Sequence, residues 1–351
     1  MNVARNAYLI VLISLVLSCT NNQKNNKTII LEEETKTKAK EISLVPIDLG
    51  DRLTTAERCY VFSDTILVIQ NLKNSNKPFL EFYNLVTMKL LKTAITRGNA
   101  RNELLDMISK NSGDNLLING YVNKKYSKIN VPEYINRKDN SIQFVSYNIE
   151  CQSMDIFKEN TFIVENPYHF IDKQIGIYQD VPRLLMMEAE ATIESDRNIS
   201  AINVTRGNIL INKNVGKICY YSKNEAVVEI YDTLLNLETV ITGPDEIAPE
   251  YSISNNSIAF SGQVTRSYQA SCFNDSMIVL AYEGRKFNPM NFTTDNSYYV
   301  WLFMFDWNGN LINSYKMVGK NILCMSLSSD DSLYITCKES GYLKVYRASL
   351  E

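Results

Sequence analysis

The sequence predicts an all-β fold in which short strands repeat around a common axis. A turn residue followed by an apolar β run recurs along the chain, at starts that advance by 50, 46, 56, 59 and 56 residues from position 64. Tyrosine is abundant, with 21 copies, and aromatic and β-branched sequence favours strands over helices. Units of about 50 residues with several strands each are typical of β-propeller blades, so we expect a six-bladed β-propeller.

Each unit is recognised by one almost wholly apolar strand that follows a polar turn residue. The fourth unit is the least regular, because residues 207–211 compete with residues 216–220 for its register. The six turn-plus-strand segments are 64–68, 114–118, 160–164, 216–220, 275–279 and 331–335.

A second strand pattern follows in several units and ends in an aromatic residue, often with Asn or Asp after it. Asn308 and Gly309 follow one such strand and form a strong hairpin signal, since both positions accept positive φ. Residues 183–194 could form an amphipathic helix, but Pro182 and the neighbouring units favour a strand there. The strands with this pattern are 80–84, 228–232, 302–306 and 343–346.

Closure of the ring is predicted from the two ends of the chain. The last unit stops at Glu351, directly after its third strand, so its outer strand is missing. Residues 41–47 precede the first unit and have a strand-like pattern. We expect this N-terminal strand to pair with the strand at 343–346, because an open sheet edge would expose unpaired backbone groups.

The first 19 residues have the pattern of an export signal. Arg5 precedes an apolar run that ends at Leu17, and Val16-Leu17-Ser18-Cys19 resembles a bacterial lipobox, whose cysteine is lipidated and becomes the first residue of the mature chain. One alternative is an ordinary signal peptide with an incidental cysteine. A retained membrane helix is the weaker alternative, because the run is shorter than the ~20 residues that span a bilayer.

These patterns divide the chain into three parts. Residues 1–18 are expected to be a lipoprotein signal peptide, residues 19–40 a flexible polar tether, and residues 41–351 the propeller. The membrane is then a partner through lipid on Cys19. Because Thr20 rather than aspartate follows the cysteine, the expected location is the outer membrane, on its periplasmic or its surface face.

Charge and cysteine usage exclude several classes of partner and cofactor. The net charge is −3 without any basic block, so nucleic acid is not an expected partner. The single histidine and the lack of clustered thiols argue against a zinc site, and no cofactor is expected. The widely spaced cysteines are expected to be buried free thiols, with a single bridge between Cys324 and Cys337 as the open alternative.

Three segments carry a resemblance to a known family. They are Arg97-Gly98-Asn99-Ala100-Arg101-Asn102-Glu103-Leu104, residues 280–285 (LAYEGR) and residues 303–310 (FMFDWNGN). With these segments the chain resembles the TolB-like six-bladed propeller lipoproteins of Gram-negative gut bacteria. The family's first motif is a Gly-Pro turn, and Ala100 and Arg101 replace that pair here. The resemblance implies a six-bladed ring and leaves the molecular role open.

The expected binding rim lies in two loops at one mouth of the ring. Arg97, Arg101 and Glu103 fall between the first and second units, where loops between propeller blades contact partners. Arg285, Phe287 and Phe292 belong to a long loop of the fifth unit that combines charge with apolar side chains. The alternative is that this second loop folds back onto its own blade.

Catalytic machinery is hard to assemble from these residues. His169 is the only histidine, and a surface or strand-edge position suits it better than an acid–base role. Four alternating carboxylates could bind a divalent cation, although a solvated strand face explains them better; they are Glu188, Glu190, Glu194 and Asp196. We therefore expect a monomeric, non-enzymatic binding module for a peptide, glycan or protein, with a metal-dependent hydrolase or lyase as the alternative.

Overall fold

Nearly all of the secondary structure consists of antiparallel strands, as the sequence predicts. The computed structural model describes residues 26–48, 58–71, 76–139, 141–147, 151–158, 161–167, 173–179, 184–190, 207–247, 251–254, 257–260, 264–287, 298–328, 330–339 and 342–350. Within these ranges the chain forms an all-β propeller, whose sheets we name by their innermost strands.

The N-terminal segment supplies three short strands and one helix, each placed against a sheet formed much later in the chain. Its elements are β1 (Lys27–Ile30), α1 (Glu33–Thr37), β2 (Lys40–Glu41) and β3 (Val45–Ile47).

The first three sheets in chain order each have four strands. The β4 sheet contains β4 (Arg58–Phe62), β5 (Ile66–Gln70), β6 (Leu80–Asn84) and β7 (Leu90–Ala94). A two-stranded ladder, β8 (Thr96–Arg97) with β9 (Glu103–Leu104), leads to the β10 sheet. That sheet contains β10 (Ile108–Ser112), β11 (Asn115–Gly120), β12 (Lys125–Asn130) and, after helix α2 (Val131–Asn136), β13 (Val145–Ser146). The β14 sheet contains β14 (Cys151–Lys158), β15 (Thr161–Pro167), β16 (Lys173–Gln179) and β17 (Leu184–Glu190).

The remaining sheets each take one strand from the N-terminal segment. The β18 sheet contains β18 (Gly207–Asn212), β19 (Lys217–Ser222), β20 (Val227–Asp232), β21 (Leu237–Thr242) and β1. After the hairpin β22 (Tyr251–Ser254) and β23 (Ser257–Phe260), the β24 sheet contains β24 (Val264–Phe273), β25 (Ile278–Phe287), β26 (Tyr299–Phe305), β27 (Leu311–Val318) and β2. The β28 sheet contains β28 (Asn321–Leu327), β29 (Ser332–Glu339), β30 (Tyr342–Ser349) and β3.

The turn-plus-strand repeats coincide with the second strand of each sheet. Strand β5, for example, is buried at all five positions, because both faces of a blade pack against neighbouring sheets. Clusters of buried side chains fill five of the junctions between sheets among the described residues. An apolar run without alternation is therefore the signal of a strand inside the ring.

The expected number of blades requires correction. Five sheets are described with nearly all of their side chains and are counted as propeller blades. The β14 sheet is described in its backbone pairing, but only six of its side chains are described: Met154, Asp155, Thr161, Ile163, Ile175 and Ile177. The expectation of six blades is therefore corrected to five blades, those whose side chains the structure describes.

The expected mode of closure also requires correction. Strand β3 makes three residue pairs with the outer edge of β30, from Val45 with Arg347 to Ile47 with Val345. The first and last sheets, in contrast, meet through their inner strands β4 and β28, where the Ser326 hydroxyl accepts a 3.1 Å hydrogen bond from the Val61 amide. Packing of inner strands joins the ends of the ring, and β3 is one of three N-terminal strands added outside it.

The expected tether ends earlier than residue 40. Strand β1 pairs in parallel with β21, and Leu31 and Ala39 are 4% and 5% exposed. The alternating run Thr28-Ile29-Ile30-Leu31 explains this, because a β-branched strand with apolar side chains gains more by covering a sheet edge than by staying solvated. Residues 27–41, which we call the N-terminal strap, therefore belong to the folded propeller.

Two smaller expectations are settled by local structure. Two short helices occur among the described residues and were not anticipated; α2 is capped by Asn130, whose side chain accepts from the Glu133 amide at 3.0 Å. Residues 184–190 form a strand, as favoured over a helix. Among the described residues, no helix reaches the length and apolarity needed to cross a bilayer.

Candidate binding channel and rim

The inner strands of the sheets surround an axial cavity of about 210 Å³. Hairpins between first and second strands lie at one end of the ring, which we call the turn face. Connections between second and third strands, and between successive sheets, lie at the other end, which we call the loop face. The cavity takes residues from β4, β10, β14, β18, β24 and β28, so its lining comes from the whole circumference.

A cationic group lies at the start of β4 in this cavity. The Nη1 atom of Arg58 donates a 3.1 Å hydrogen bond to the carbonyl oxygen of Ser109, and the Tyr60 hydroxyl donates to the same oxygen at 2.7 Å. Burial raises the pKa of Tyr60, so its phenol stays a neutral hydrogen-bond donor. The two side chains fix the first strands of neighbouring sheets to each other.

A second cation in the cavity is already paired with a buried carboxylate. Lys110 donates to the carbonyl oxygen of Ile209, and its Nζ lies 3.6 Å from Asp155 Oδ2. Asp155 is 2% exposed and lines a second cavity, at the turn face. No Asp or Glu occurs among the described residues that line the cavity itself.

The other side of the cavity carries a chain of ordered polar groups. The Asn208 amide donates to the Tyr221 hydroxyl at 2.8 Å, and that hydroxyl lies 2.9 Å from Ser271 Oγ. The Gln269 amide donates to the carbonyl oxygen of Lys223 at 3.1 Å. Because these contacts hold the side chains in place, the wall offers amides and hydroxyls to a ligand in fixed positions.

The cysteines of the channel wall are not activated nucleophiles. Burial raises the pKa of both Cys272 and Cys324, so these thiols stay protonated at neutral pH. Cys324 and Cys337 are both free, and the expected buried free thiols are confirmed at these two positions and at Cys59, Cys219 and Cys272. No group of three or more His, Cys, Asp or Glu suited to a metal ion occurs in the described part of the chain.

The turn face opens through a wider cavity of about 760 Å³, and its aspartates join neighbouring sheets. Asn214 donates to Asp275 Oδ2 at 2.9 Å, and Asn274 donates to Asp331 Oδ1 at 2.9 Å. Each bond links hairpins of adjacent sheets. These acidic side chains therefore have a role in assembling the ring.

Of the expected rim residues, Arg97 contacts the connection between β5 and β6, and Glu103 contacts its own loop. The Arg97 guanidinium donates to the Asn71 carbonyl oxygen at 2.9 Å and lies 4.0 Å from the centre of the Phe79 ring. Glu103 accepts from the Ala100 amide at 3.1 Å and from the Thr96 hydroxyl at 3.2 Å. Arg101 is exposed at the tip of the same turn.

Arg285 belongs to a different sheet and is held by a buried acid. Its Nε donates to Glu283 Oε2 at 2.8 Å, and its guanidinium lies 3.6 Å from the Tyr298 ring centre. Glu283, which is 3% exposed, also pairs with Arg266 Nη2 at 3.0 Å. Arg285 and the Arg97 loop therefore belong to different sheets of the ring.

Several residues singled out from the sequence have only their backbone described or lie outside the described residues. Only the backbone of Phe287, Glu188 and Glu190 is described. The positions that lie outside the described residues are Cys19, His169, Glu194, Asp196 and Phe292.

Sequence reasoning missed the channel lining, although a signal was present. The inner strand β10 reads Ile108-Ser109-Lys110-Asn111-Ser112, which is far more polar than the second strand β11 that follows it. A polar first strand before an apolar second strand predicts the lining of a propeller channel. Strand β4 departs from this pattern, because only its first residue, Arg58, is polar.

The fold is similar to solved structures at low sequence identity. A member of the DUF4221 family from Bacteroides vulgatus is 12% identical, with a TM-score of 0.56, over 89% of this chain and 98% of that one. A protein of Bacteroides fragilis described as exported is 9% identical, with a TM-score of 0.47, over 92% of this chain and 98% of that one. No family model and no curated protein matches the sequence. The first of these structures shares the fold of this chain, which its sheet topology identifies as a β-propeller.

Proposed function

We propose that this chain is a non-enzymatic binding module of the cell envelope that takes a peptide, glycan or protein ligand at the loop-face mouth of its channel. The observation that carries the proposal is the channel lining, in which ordered amides and hydroxyls converge from the inner strands. Concave sites with a few fixed polar groups are the usual form of a ligand site. Neutral thiols and the absence of an acid among the described lining residues favour binding over acid–base or nucleophilic chemistry.

The proposed location is the outer membrane, through lipid on Cys19, as in the TolB-like lipoproteins that the sequence resembles. Strand β1, the first described element, begins at Lys27, eight positions after the proposed lipidated cysteine. At ~3.3–3.6 Å per residue, this segment spans at most about 29 Å. The proposed anchor therefore keeps the ring close to the bilayer.

Detergent phase partitioning of the protein expressed in its native type of cell tests the anchor. We expect the wild type to enter the detergent phase with the mass of a lipidated chain that starts at Cys19. The Cys19→Ala variant should stay in the aqueous phase. A wild-type chain without added lipid mass would refute the anchor and leave the channel proposal standing.

A channel-blocking variant tests the binding function. Ile108 lines the cavity and is 41% exposed, so Ile108→Trp fills the mouth without displacing a packed side chain. Val86 is 80% exposed in the hairpin between β6 and β7, and Val86→Trp is the matched control. On arrays of envelope glycans and peptides, ligands of the wild type should be retained by Val86→Trp and lost by Ile108→Trp. Equal binding by both variants would refute the channel as the site.

A further inference from the structure

Arg58 brings to the channel a positive charge that pairs with no carboxylate among the described residues. It is partly buried, and the groups that act on its pKa are Tyr60, Cys324 and Tyr121, with no carboxylate among them. Its guanidinium donates from Nη1 to the Ser109 carbonyl oxygen and interacts with the Tyr60 hydroxyl, whereas a guanidinium has five N–H donors. A charge held in a partly desolvated wall is stabilised when an anion completes its coordination.

No described residue that lines the cavity neutralises the charge of Arg58. Lys110 is balanced by Asp155, a buried carboxylate that lines the wider turn-face cavity. The lining as described contains Arg58, Lys110 and Lys223 but no acid. The charged side chains of the described lining are therefore all cationic although the whole chain has a net charge of −3, while the aspartates line the wider turn-face cavity. Low-dielectric walls focus such a field on a ligand of opposite sign.

We infer that the channel binds a small polyhydroxylated carboxylate, such as a sugar acid or the uronic-acid end of a glycan, with its carboxylate on Arg58. This inference rests on the proposed binding function and names its ligand class. The planar guanidinium matches a carboxylate in a two-point contact. The Asn208–Tyr221–Ser271 chain and Gln269 supply the donors and acceptors that hydroxyl groups need.

The size of the cavity limits what enters it. Its volume of about 210 Å³ lies below the roughly 300–1,000 Å³ typical of sites for drug-sized ligands. One sugar-sized unit fits this space better than an extended peptide. A longer glycan would place only its terminal unit inside and leave the rest at the loop face.

Calorimetry with charged and neutral sugars tests the inference. D-Glucuronate and D-galacturonate are the charged probes, D-glucose and D-galactose are their neutral counterparts, and inorganic phosphate tests whether any oxyanion suffices. We expect wild-type protein to bind at least one uronate about tenfold or more tightly than its neutral counterpart, because a hydrogen bond to a charged group contributes about that factor. Phosphate binding as tight as uronate binding, equal affinity for neutral sugars, or no uronate binding would overturn the inference.

Arg58→Gln should lower uronate affinity about tenfold or more, while thermal unfolding shows that the variant is folded. Arg137→Gln is the matched control, because Arg137 is an exposed arginine that ends helix α2 outside the channel. If Arg58→Gln does not fold, the Arg58→Lys variant serves instead. It keeps the positive charge but lacks the planar pair of N–H donors, so uronate affinity should still fall. Undiminished affinity in the folded variant would overturn the inference.

The two proposals fail in distinguishable ways. A ligand that Ile108→Trp excludes but Arg58→Gln binds normally would refute the anion site and leave the binding module standing. A ligand that neither variant affects would refute both.

Discussion

The backbone amide of Leu31 donates a 2.8 Å hydrogen bond to the carbonyl oxygen of Thr242, which continues the parallel ladder between β1 and β21. Five residues further on, Lys36 lies 2.6 Å from Asp245 Oδ1, and the other oxygen of Asp245 accepts from the Tyr282 hydroxyl at 2.7 Å. The N-terminal strap thus ties the β18 sheet to the β24 sheet.

Truncation of the strap should lower stability. A chain that begins at Asn26 keeps every strap contact, whereas a chain that begins at Ile42 loses Leu31, Ala39 and Lys36 but keeps β3. Burial of one leucine contributes about 1.5–3 kcal/mol, and for a chain of this size each kcal/mol corresponds to about 2–4 °C. We expect the shorter chain to melt about 5–10 °C lower in calorimetry. Equal melting temperatures would mean that the strap adds nothing to the ring.

Gly243 lies where the strap meets the β18 sheet, and it should not tolerate a side chain. It has φ of +93°, and a Cβ there would collide with the Leu31 carbonyl oxygen. Gly216 has φ of +70° and open space around it, so it is the matched control. In denaturant unfolding, Gly216→Ala should cost about 1 kcal/mol from backbone strain alone.

Gly243→Ala should cost clearly more than that, because the clash adds to the same strain and the Leu31 carbonyl has to move. Similar losses for the two variants would show that the strap yields without cost at this point.

The sequence predicted those parts of the fold that depend on neighbouring residues in the chain. The run Ile66-Leu67-Val68-Ile69 is apolar on both faces, so it indicated an interior strand, and Asp306 after β26 indicated a turn. Asp306 Oδ1 indeed accepts from the amides of Asn308 and Asn310, at 2.9 and 2.8 Å. The turn spans residues 306–310 and is wider than the two-residue hairpin that Asn308 and Gly309 suggested.

Features that join distant parts of the chain were not predictable in the same way. The channel brings Asn111 to the Met325 carbonyl oxygen at 3.2 Å, a pair 214 residues apart. The Arg97 loop has the composition of an exposed rim, but the Arg97 guanidinium packs against the Phe79 ring. Composition shows which residues can bind a partner, whereas packing decides which of them are already bound within the chain.

Arg97→Ala should therefore act on stability. Loss of its contact with Phe79 and of its hydrogen bond to Asn71 should cost about 1–2 kcal/mol in denaturant unfolding. Arg101→Ala, four residues away on the same turn, should change stability by less than about 0.5 kcal/mol. If Arg97→Ala left the free energy of unfolding unchanged, Arg97 would again be a candidate for contact with a partner.

Glu283→Gln should weaken the loop-face end of the β24 sheet. The substitution keeps the shape of the side chain and removes the charge that Arg266 and Arg285 bracket. Removing one partner of a buried ion pair lowers the free energy of unfolding by about 3–5 kcal/mol. We expect a loss near the lower limit, since both arginines retain partial contact with water. Glu133→Gln, at an exposed carboxylate on α2, is the control and should be close to neutral.

Glu225 should make stability depend on pH near neutrality. Burial, together with the nearby Glu229 carboxylate, raises the pKa of Glu225 from 4.5 to about 7. A carboxyl group with a raised pKa is protonated in the folded chain while the unfolded chain is already charged, so stability falls as pH rises from about 4.5 to about 7 and stays lower above it. The full effect is roughly 3 kcal/mol at most.

The Glu225→Gln variant measures this contribution directly. At pH 5 the protonated carboxyl and the amide are both neutral, so variant and wild type should unfold at similar denaturant concentrations. At pH 8 the wild type carries a buried charge that the variant lacks, and the variant should be the more stable by about 2–3 kcal/mol. A constant difference between the two proteins from pH 5 to pH 8 would show that Glu225 titrates as it does in the unfolded chain, and that the loop between β19 and β20 leaves it in contact with water.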